Sequence, residues 1–289
     1  MGAILPIALG LLAAVLFGLN FYVQRQGLKT SDPLVGAFLS ILSMAGMFWI
    51  FAPLSISPKW FSHPSIVYFI LAGLIFPAIA HIFQIQAIGK VGPALTAAIG
   101  SLLPLFAAIP AVLFLGESFG AALVIGMALM MGGVVIAGLG GARVKRNFAL
   151  WALLLPVASS AARGFALPLS KIGMIDIPSP FFATLVAGNV SAVVVFFILV
   201  GTGRAKSLVS LNISSLWFVL SGVINGTGIL LVNIAISIGD ITRVAPFIST
   251  VPLWVLFLGW AVFRVEKLGF RHVVIVALVM TGGILIATR

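Results

Sequence analysis

The chain has 289 residues, of which 16 are Lys or Arg and five are Asp or Glu, so charged residues make up 7% and hydrophobic ones 62%. A soluble domain is roughly a quarter charged and leaves about a quarter of its unfolded surface exposed. That argues against a soluble enzyme, a nucleic-acid binder and a disordered chain. The formal charge of +11 comes with no basic stripe interleaved with aromatics, so no nucleic-acid partner is expected. Without Cys there are no disulfides, iron–sulfur clusters or thiolate metal sites. What remains is an all-α polytopic membrane protein.

A spanning helix needs about 20 apolar residues. Ten such stretches occur, at 3–24, 33–54, 64–88, 93–115, 118–139, 148–170, 178–201, 213–237, 243–263 and 268–288. Short Pro-, Gly- and Ser-rich connections separate them. Gly116-Glu117-Ser118 alone divides spans four and five. Met1-Gly2-Ala3 carries no basic stretch, so no cleaved signal peptide is expected. Function must then sit within the bilayer or at its surfaces.

Polar side chains inside a membrane are costly and usually face the bundle interior or a wet cavity. Asn20 and Gln24 in span one share a face. They are candidates either to bind a substrate or to join helices, as amides in membranes do. Span three carries His81, Gln84 and Gln86, the densest polar cluster. His81 and Gln84 share a face; a structural role and a pathway role both stay open. Pro104 and Pro252 fall within spans four and nine. Each removes a backbone bond to the carbonyl four residues earlier, at Gly100 and Ile248. Ser101, and Ser249 or Thr250, are the expected replacements. The prolines are candidate hinges, and Ser101 is a candidate contact. Arg163 is a charge inside span six. It either snorkels to the nearer interface or takes a substrate carboxylate with its planar fork. In span eight Asn225 is the preferred candidate contact, ahead of Asn233 and of Asn189 in span seven. Trp254 is a candidate stacking group or a packing residue.

An internal repeat organises the chain. Ser101 to Pro104, then Gly116-Glu117, then Gly132-Gly133, return as Ser249 to Pro252, Val265-Glu266 and Gly282-Gly283, 148 to 150 residues on. Gly18, Arg25 and Gly27 return as Gly164, Lys171 and Gly173, 146 residues on. The expected units are 1–142 and 147–289, each with five spans. An odd number of spans forces the two into opposite orientations, and inverted repeats are characteristic of secondary transporters with a site near the midplane.

The pattern Ala87, Gly92-Pro93, Pro104, Gly116-Glu117, Gly126 and Gly132-Gly133, echoed by Ala235, Pro252, Glu266 and Gly282-Gly283, resembles the EamA-type repeat of the drug/metabolite transporter superfamily. It most resembles the bacterial inner-membrane exporters of aromatic and other neutral amino acids. The second repeat departs from that pattern at Arg264-Val265 and in lacking a Gly-Pro at Thr242-Arg243. The resemblance implies a ten-helix exporter working by alternating access on amino acids, or on other drugs or metabolites. It implies no cofactor and no resident metal, and function as a monomer. A membrane-embedded enzyme would need a nucleophile–base pair or a metal site; His81 is the lone deep base, so no catalysis is expected.

The acids Asp32, Glu117, Asp176, Asp240 and Glu266 all fall at span ends or in loops. No midplane carboxylate is present to exchange a proton for substrate. Facilitated transport, or weak coupling through His81, is the expectation. Lys and Arg mark cytoplasmic loops. One side carries eleven of them (Arg25, Lys29, Lys90, Arg143, Lys145, Arg146, Arg204, Lys206, Arg264, Lys267 and Arg271) and the other four (Lys59, Lys171, Arg243 and Arg289). This places both termini in the periplasm.

Overall fold

The computed structural model describes residues 4–118, 120–140, 149–208, 215–262 and 270–288. Arg143, Lys145, Arg146, Arg264 to Lys267 and Arg289 lie outside them. The described residues are helical and contain no strand. Eight helical stretches are long and apolar enough to cross a membrane. They are α1 (Ile4–Gly27), α2 (Pro33–Ser55), the run α3 to α4 (Ile66–Val91), the run α5 to α6 (Pro93–Leu115), the stretch ending in α8 (Leu150–Asp176), α9 (Pro180–Gly201), α10 (Ser215–Ile238) and the run α11 to α12 (Ile241–Ala261). Two further helices, α7 (Ala121–Gly140) and α13 (Phe270–Ala287), have shorter apolar stretches.

Local chemistry sets the boundaries. The Asp32 carboxylate accepts the Leu34 N–H at 2.8 Å and caps α2, with Pro33 in the first turn. Ser179 caps α9 in the same way, accepting from Phe182 N–H at 3.1 Å before Pro180. Gly116, at φ +64°, ends α6 in the left-handed conformation that favours glycine.

Three spans are broken: four and nine beside the prolines expected to interrupt them, and three where no break is expected. Span three passes from α3 (Ile66–Gly73) through a π-helical turn (Leu74–Ile79) into α4 (Ala80–Val91), with Phe76 extended before Pro77. Span four splits into α5 (Pro93–Gly100) and α6 (Leu103–Leu115), and span nine into α11 (Ile241–Ile248) and α12 (Val251–Ala261). Irregular backbone at membrane depth is tolerated only inside protein or beside a cavity, so the breaks mark the interior.

The packing obeys a pseudo-two-fold relation. α1 lies on α10, and α8 lies on α3 and α4; α7 and α13 pack on each other. Glycines make these approaches close. A Cβ on Gly18 would sit 2.8 Å from the Trp254 Cβ, and one on Gly164 2.6 Å from the Phe106 Cβ. Residues 18 and 164, and 106 and 254, are the repeat equivalents. Gly27 against Phe218 matches Gly173 against Phe69, and Gly222 against Ser40 matches Gly73 against Ala187. Gly126 and Gly282 each face the other's carbonyl.

Gly222→Ala should therefore cost about 1–3 kcal/mol by overpacking, because its Cβ would meet the Ser40 carbonyl. Gly46→Ala, with open space around it, should be neutral or stabilising by up to about 1 kcal/mol. Thermal unfolding in detergent separates the two.

Candidate substrate site

The breaks of spans four and nine face Arg163 of span six at the centre of the bundle. A narrow cleft lies between the breaks. Gly100, Ser101 and Leu103 come to it from span four, Ile248, Ser249 and Val251 from span nine, and Phe21, Ala97 and Arg163 complete its lining. A second narrow cleft includes Phe17, Phe76, Leu103, Arg163, Ile229 and Ile248. Arg163 belongs to both. Both are narrow, so side chains must move before a solute of amino-acid size can enter.

The proline breaks resolve differently from expectation. The Gly100 carbonyl freed by Pro104 accepts from the Ser160 hydroxyl of α8 at 2.8 Å. Ser101, the expected replacement, instead donates to Ala98 at 2.5 Å. A hydroxyl three residues back reaches its own helix more easily than the carbonyl beside it, so the neighbouring span supplies the missing donor. At the second break Ser249 donates to Ala245 and Thr250 to Phe247, at 3.0 and 2.7 Å.

Arg163 lies thirteen residues from either end of the stretch Leu150–Asp176, about 20 Å along the axis each way. The sequence reading ended this span at 170; the helix runs a turn and a half further, which puts the charge at mid-depth. Its Nη1 donates to Gln84 Oε1 at 3.0 Å. Its Cζ lies 4.8 Å from the Phe17 ring centre and 5.1 Å from that of Phe76, close enough for cation–π attraction. The side chain is half-buried, and its Nε is buried with no hydrogen-bond partner. Among the described acids none lies within hydrogen-bonding or ion-pairing distance of it.

Gln84 extends this contact inward. Its Nε2 donates to Gln24 Oε1, and Gln24 Nε2 donates to the Ser221 hydroxyl, both at 3.2 Å. So Gln24, Gln84 and Arg163 form one chain of hydrogen bonds across spans one, three, six and eight. Asn20 and His81, one turn before Gln24 and Gln84, are 1% exposed. Both amide atoms of Asn20 and the Nε2 of His81 have no hydrogen-bond partner. Asn20 sits between Phe17 and Phe21, which line the clefts.

The other sequence candidates lie elsewhere. Asn225 is buried on α10. Asn233 donates to Thr184 at 2.9 Å inside the bundle, and Asn189 is taken by Trp49 on the lipid side. Trp254 packs its Cβ on Gly18 and donates to Thr250 at 3.3 Å. Pro104 and Pro252 are buried in the first turns of α6 and α12. Phe17, Phe21, Phe76, Ser160 and Ser249 were not among the expected contacts. The repeat held a signal for one of them: Phe17 is the equivalent of Arg163.

Glu117 is also displaced from its expected setting. It lies at a span end but is 8% exposed. Its Oε1 accepts from Ile241 N–H at 2.8 Å and from Lys171 Nζ at 2.9 Å, and its Oε2 accepts from Thr242 N–H at 2.8 Å. Lys171 also donates to the Gly239 carbonyl at 2.8 Å. Glu117 thus caps α11 from another span, helped by the helix dipole. Burial alone would raise its pKa; the Thr242 N–H, the Lys171 ammonium and the Ile241 N–H outweigh burial and hold the carboxyl below its ordinary value. Glu266, its repeat equivalent, lies outside the described residues.

A polytopic bundle with a cation-lined cleft between broken, pseudo-symmetric helices is the architecture of a secondary transporter. The chain belongs to the EamA-like transporter family, whose model matches residues 4–139 and 150–288. It is thus a multi-pass membrane transporter of small molecules. One solved crystal structure superposes with a TM-score of 0.76 over 97% of this chain and 95% of its own, at 18% identity; that likeness shows the fold. No curated protein sequence matches the chain.

The lowered pKa of Glu117 sets a pH dependence. Its ionised form stabilises the fold fully above the ordinary carboxylate pKa, and this contribution is lost as pH falls from there through the lowered value. Thermal unfolding in detergent at descending pH should show the loss in the natural chain and a smaller one in Glu117→Gln.

Proposed function

We propose that the protein exports amino acids, aromatic and other neutral ones favoured, by alternating access between the inverted units 1–142 and 147–289. The observation that carries this reading is Arg163, a mid-depth cation on both clefts whose Nε lacks a partner. A carboxylate supplies the acceptors and the charge it lacks, and the guanidinium fork suits that geometry. Gln84 holds the fork in place. Asn20, His81, Gln24 and Ser101 supply neutral polar contacts for the rest of the head group, and Phe17 and Phe21 the apolar surroundings for the side chain; Asn225 and Trp254, outside both clefts, join them once the cleft widens. Pro104 and Pro252 are the flexing points. A nucleotide sugar or a sugar phosphate would want several deep cations, and a lipophilic cation a deep carboxylate.

The chain acts as a monomer in the bacterial inner membrane, with both termini in the periplasm and no catalytic step. The acids at the span ends fit facilitated transport. Arg243 pairs with Asp240 at 3.5 Å at the start of α11, and Arg204 with Asp32 at 3.0 Å at the opposite ends of the spans.

Uptake of a labelled amino-acid panel into proteoliposomes tests the reading. Arg163→Gln should raise KM about 10- to 100-fold, the order of a lost charge-assisted hydrogen bond, and decarboxylated analogues should not compete. Transport of those analogues as fast as of the amino acids would overturn the proposal.

A further inference from the structure

Glu117 joins parts of the chain that a transport cycle must separate. It follows α6, in the first half of the chain. Its donors, Lys171 on α8 and the N–H groups of Ile241 and Thr242 on α11, all belong to the second half. These groups lie on one side of the membrane, at the ends of spans four and six and the start of span nine.

The seat of this contact has a direct line to the cleft. α11 is a half-helix of eight residues, Ile241–Ile248. Its first turn is held by Glu117. Its last residue, Ile248, lines both clefts, and Ser249 follows in the break. Eight residues rise only about 12 Å, so a displacement at Ile241 reaches the cleft wall without passing through another element. α11 is separated from α12 by the Ser249–Thr250 break, so the two halves of span nine need not move as one rod.

We infer that Glu117 is the latch of this transporter: its carboxylate, seated on the N-terminus of α11 and on Lys171, closes the cleft toward the face where it lies, and must leave that seat for the cleft to open there. Closing needs an acceptor with charge. A carboxylate satisfies three donors at once, while a neutral amide offers a single oxygen and turns a donor toward N–H groups. Among the described residues the other charged groups at this end are Asp240 and Arg243, which pair with each other, Asp176, whose carboxylate accepts from Ser65, and Lys59, which is exposed. This role rests on the transporter reading but not on the identity of the substrate.

The absence of Cys from the natural chain makes the test direct. Ser249→Cys places one thiol on the cleft wall. Its labelling by a membrane-impermeant maleimide is measured in right-side-out and inside-out vesicles, without substrate, with and without Glu117→Gln. Removing the latch should speed labelling from the Glu117 face by about tenfold or more, since hydrogen bonds to charged groups shift equilibria by that order. Labelling from the opposite face should slow, because the population moves from one open state to the other. Unchanged labelling from the Glu117 face, or equal acceleration from both faces, overturns the proposal. If Glu117→Gln does not fold, Lys171→Gln removes one donor of the same seat and is judged by the same two outcomes. A failed amino-acid panel alongside a face-selective labelling shift would reject the substrate reading and leave the latch standing.

Discussion

A guanidinium at mid-depth in a membrane is the constraint around which the centre of this bundle is organised. Placing an Arg there costs several kcal/mol unless the protein replaces its water. The replacement is partial. Gln84 supplies one acceptor and Phe17 and Phe76 supply ring faces, while Nε is left without a partner. Each neighbour then has its own requirement. Gln84 is fixed by Gln24, and Gln24 by Ser221. Phe76 reaches the guanidinium from an extended residue at the π-helical turn of span three. The break in that span and the polar chain across four spans thus serve the same charge.

The two halves share a scaffold and differ where they face the centre. Gly18 and Gly164, Gly27 and Gly173, and Gly73 and Gly222 make matching approaches. At the equivalent central positions the residues diverge: Phe17 against Arg163, Asn20 against Ala166, Gln24 against Ser170, Gln84 against Asn233. Small residues at the crossings keep the helix geometry, since a side chain there would meet backbone. The central positions are free of that demand and carry a charge on one side and amides on the other. A symmetric frame thereby encloses an asymmetric site.

The number of spans and the repeat were legible in the sequence because both are local. A run of apolar residues announces its own length, and Ser101–Pro104 announces its copy at Ser249–Pro252. Long-range partners were not. Nothing near Gly100 indicates that Ser160 caps its carbonyl, and nothing near Arg163 indicates Gln84. Pro77 stands in an apolar run without polar neighbours, so span three read as unbroken. Glu117 read as a solvated span-end acid, because its burial is made by Lys171 and by backbone N–H groups more than a hundred residues away in sequence. Sequence shows which spans carry polar groups; the tertiary fold decides which of those groups meet.

The distribution of close and loose contacts indicates where such a bundle can move. Where glycine brings two backbones together, sliding would drive atoms into one another, so α1 with α10, α8 with α3, and α7 with α13 are poorly suited to shear. Spans four and nine differ. Each is cut at a Ser-rich turn before a buried proline, and the hydroxyls there satisfy carbonyls without the continuous ladder that makes a helix stiff. α5 and α11 are therefore short rods, each joined to the rest of its span through a break. Their ends at the breaks line the cleft beside Arg163, and the opposite end of α11 is held by a buried carboxylate. A mid-depth guanidinium and a buried carboxylate thus lie at the two ends of one half-helix, so the two charges of the bundle interior are joined by eight residues of backbone.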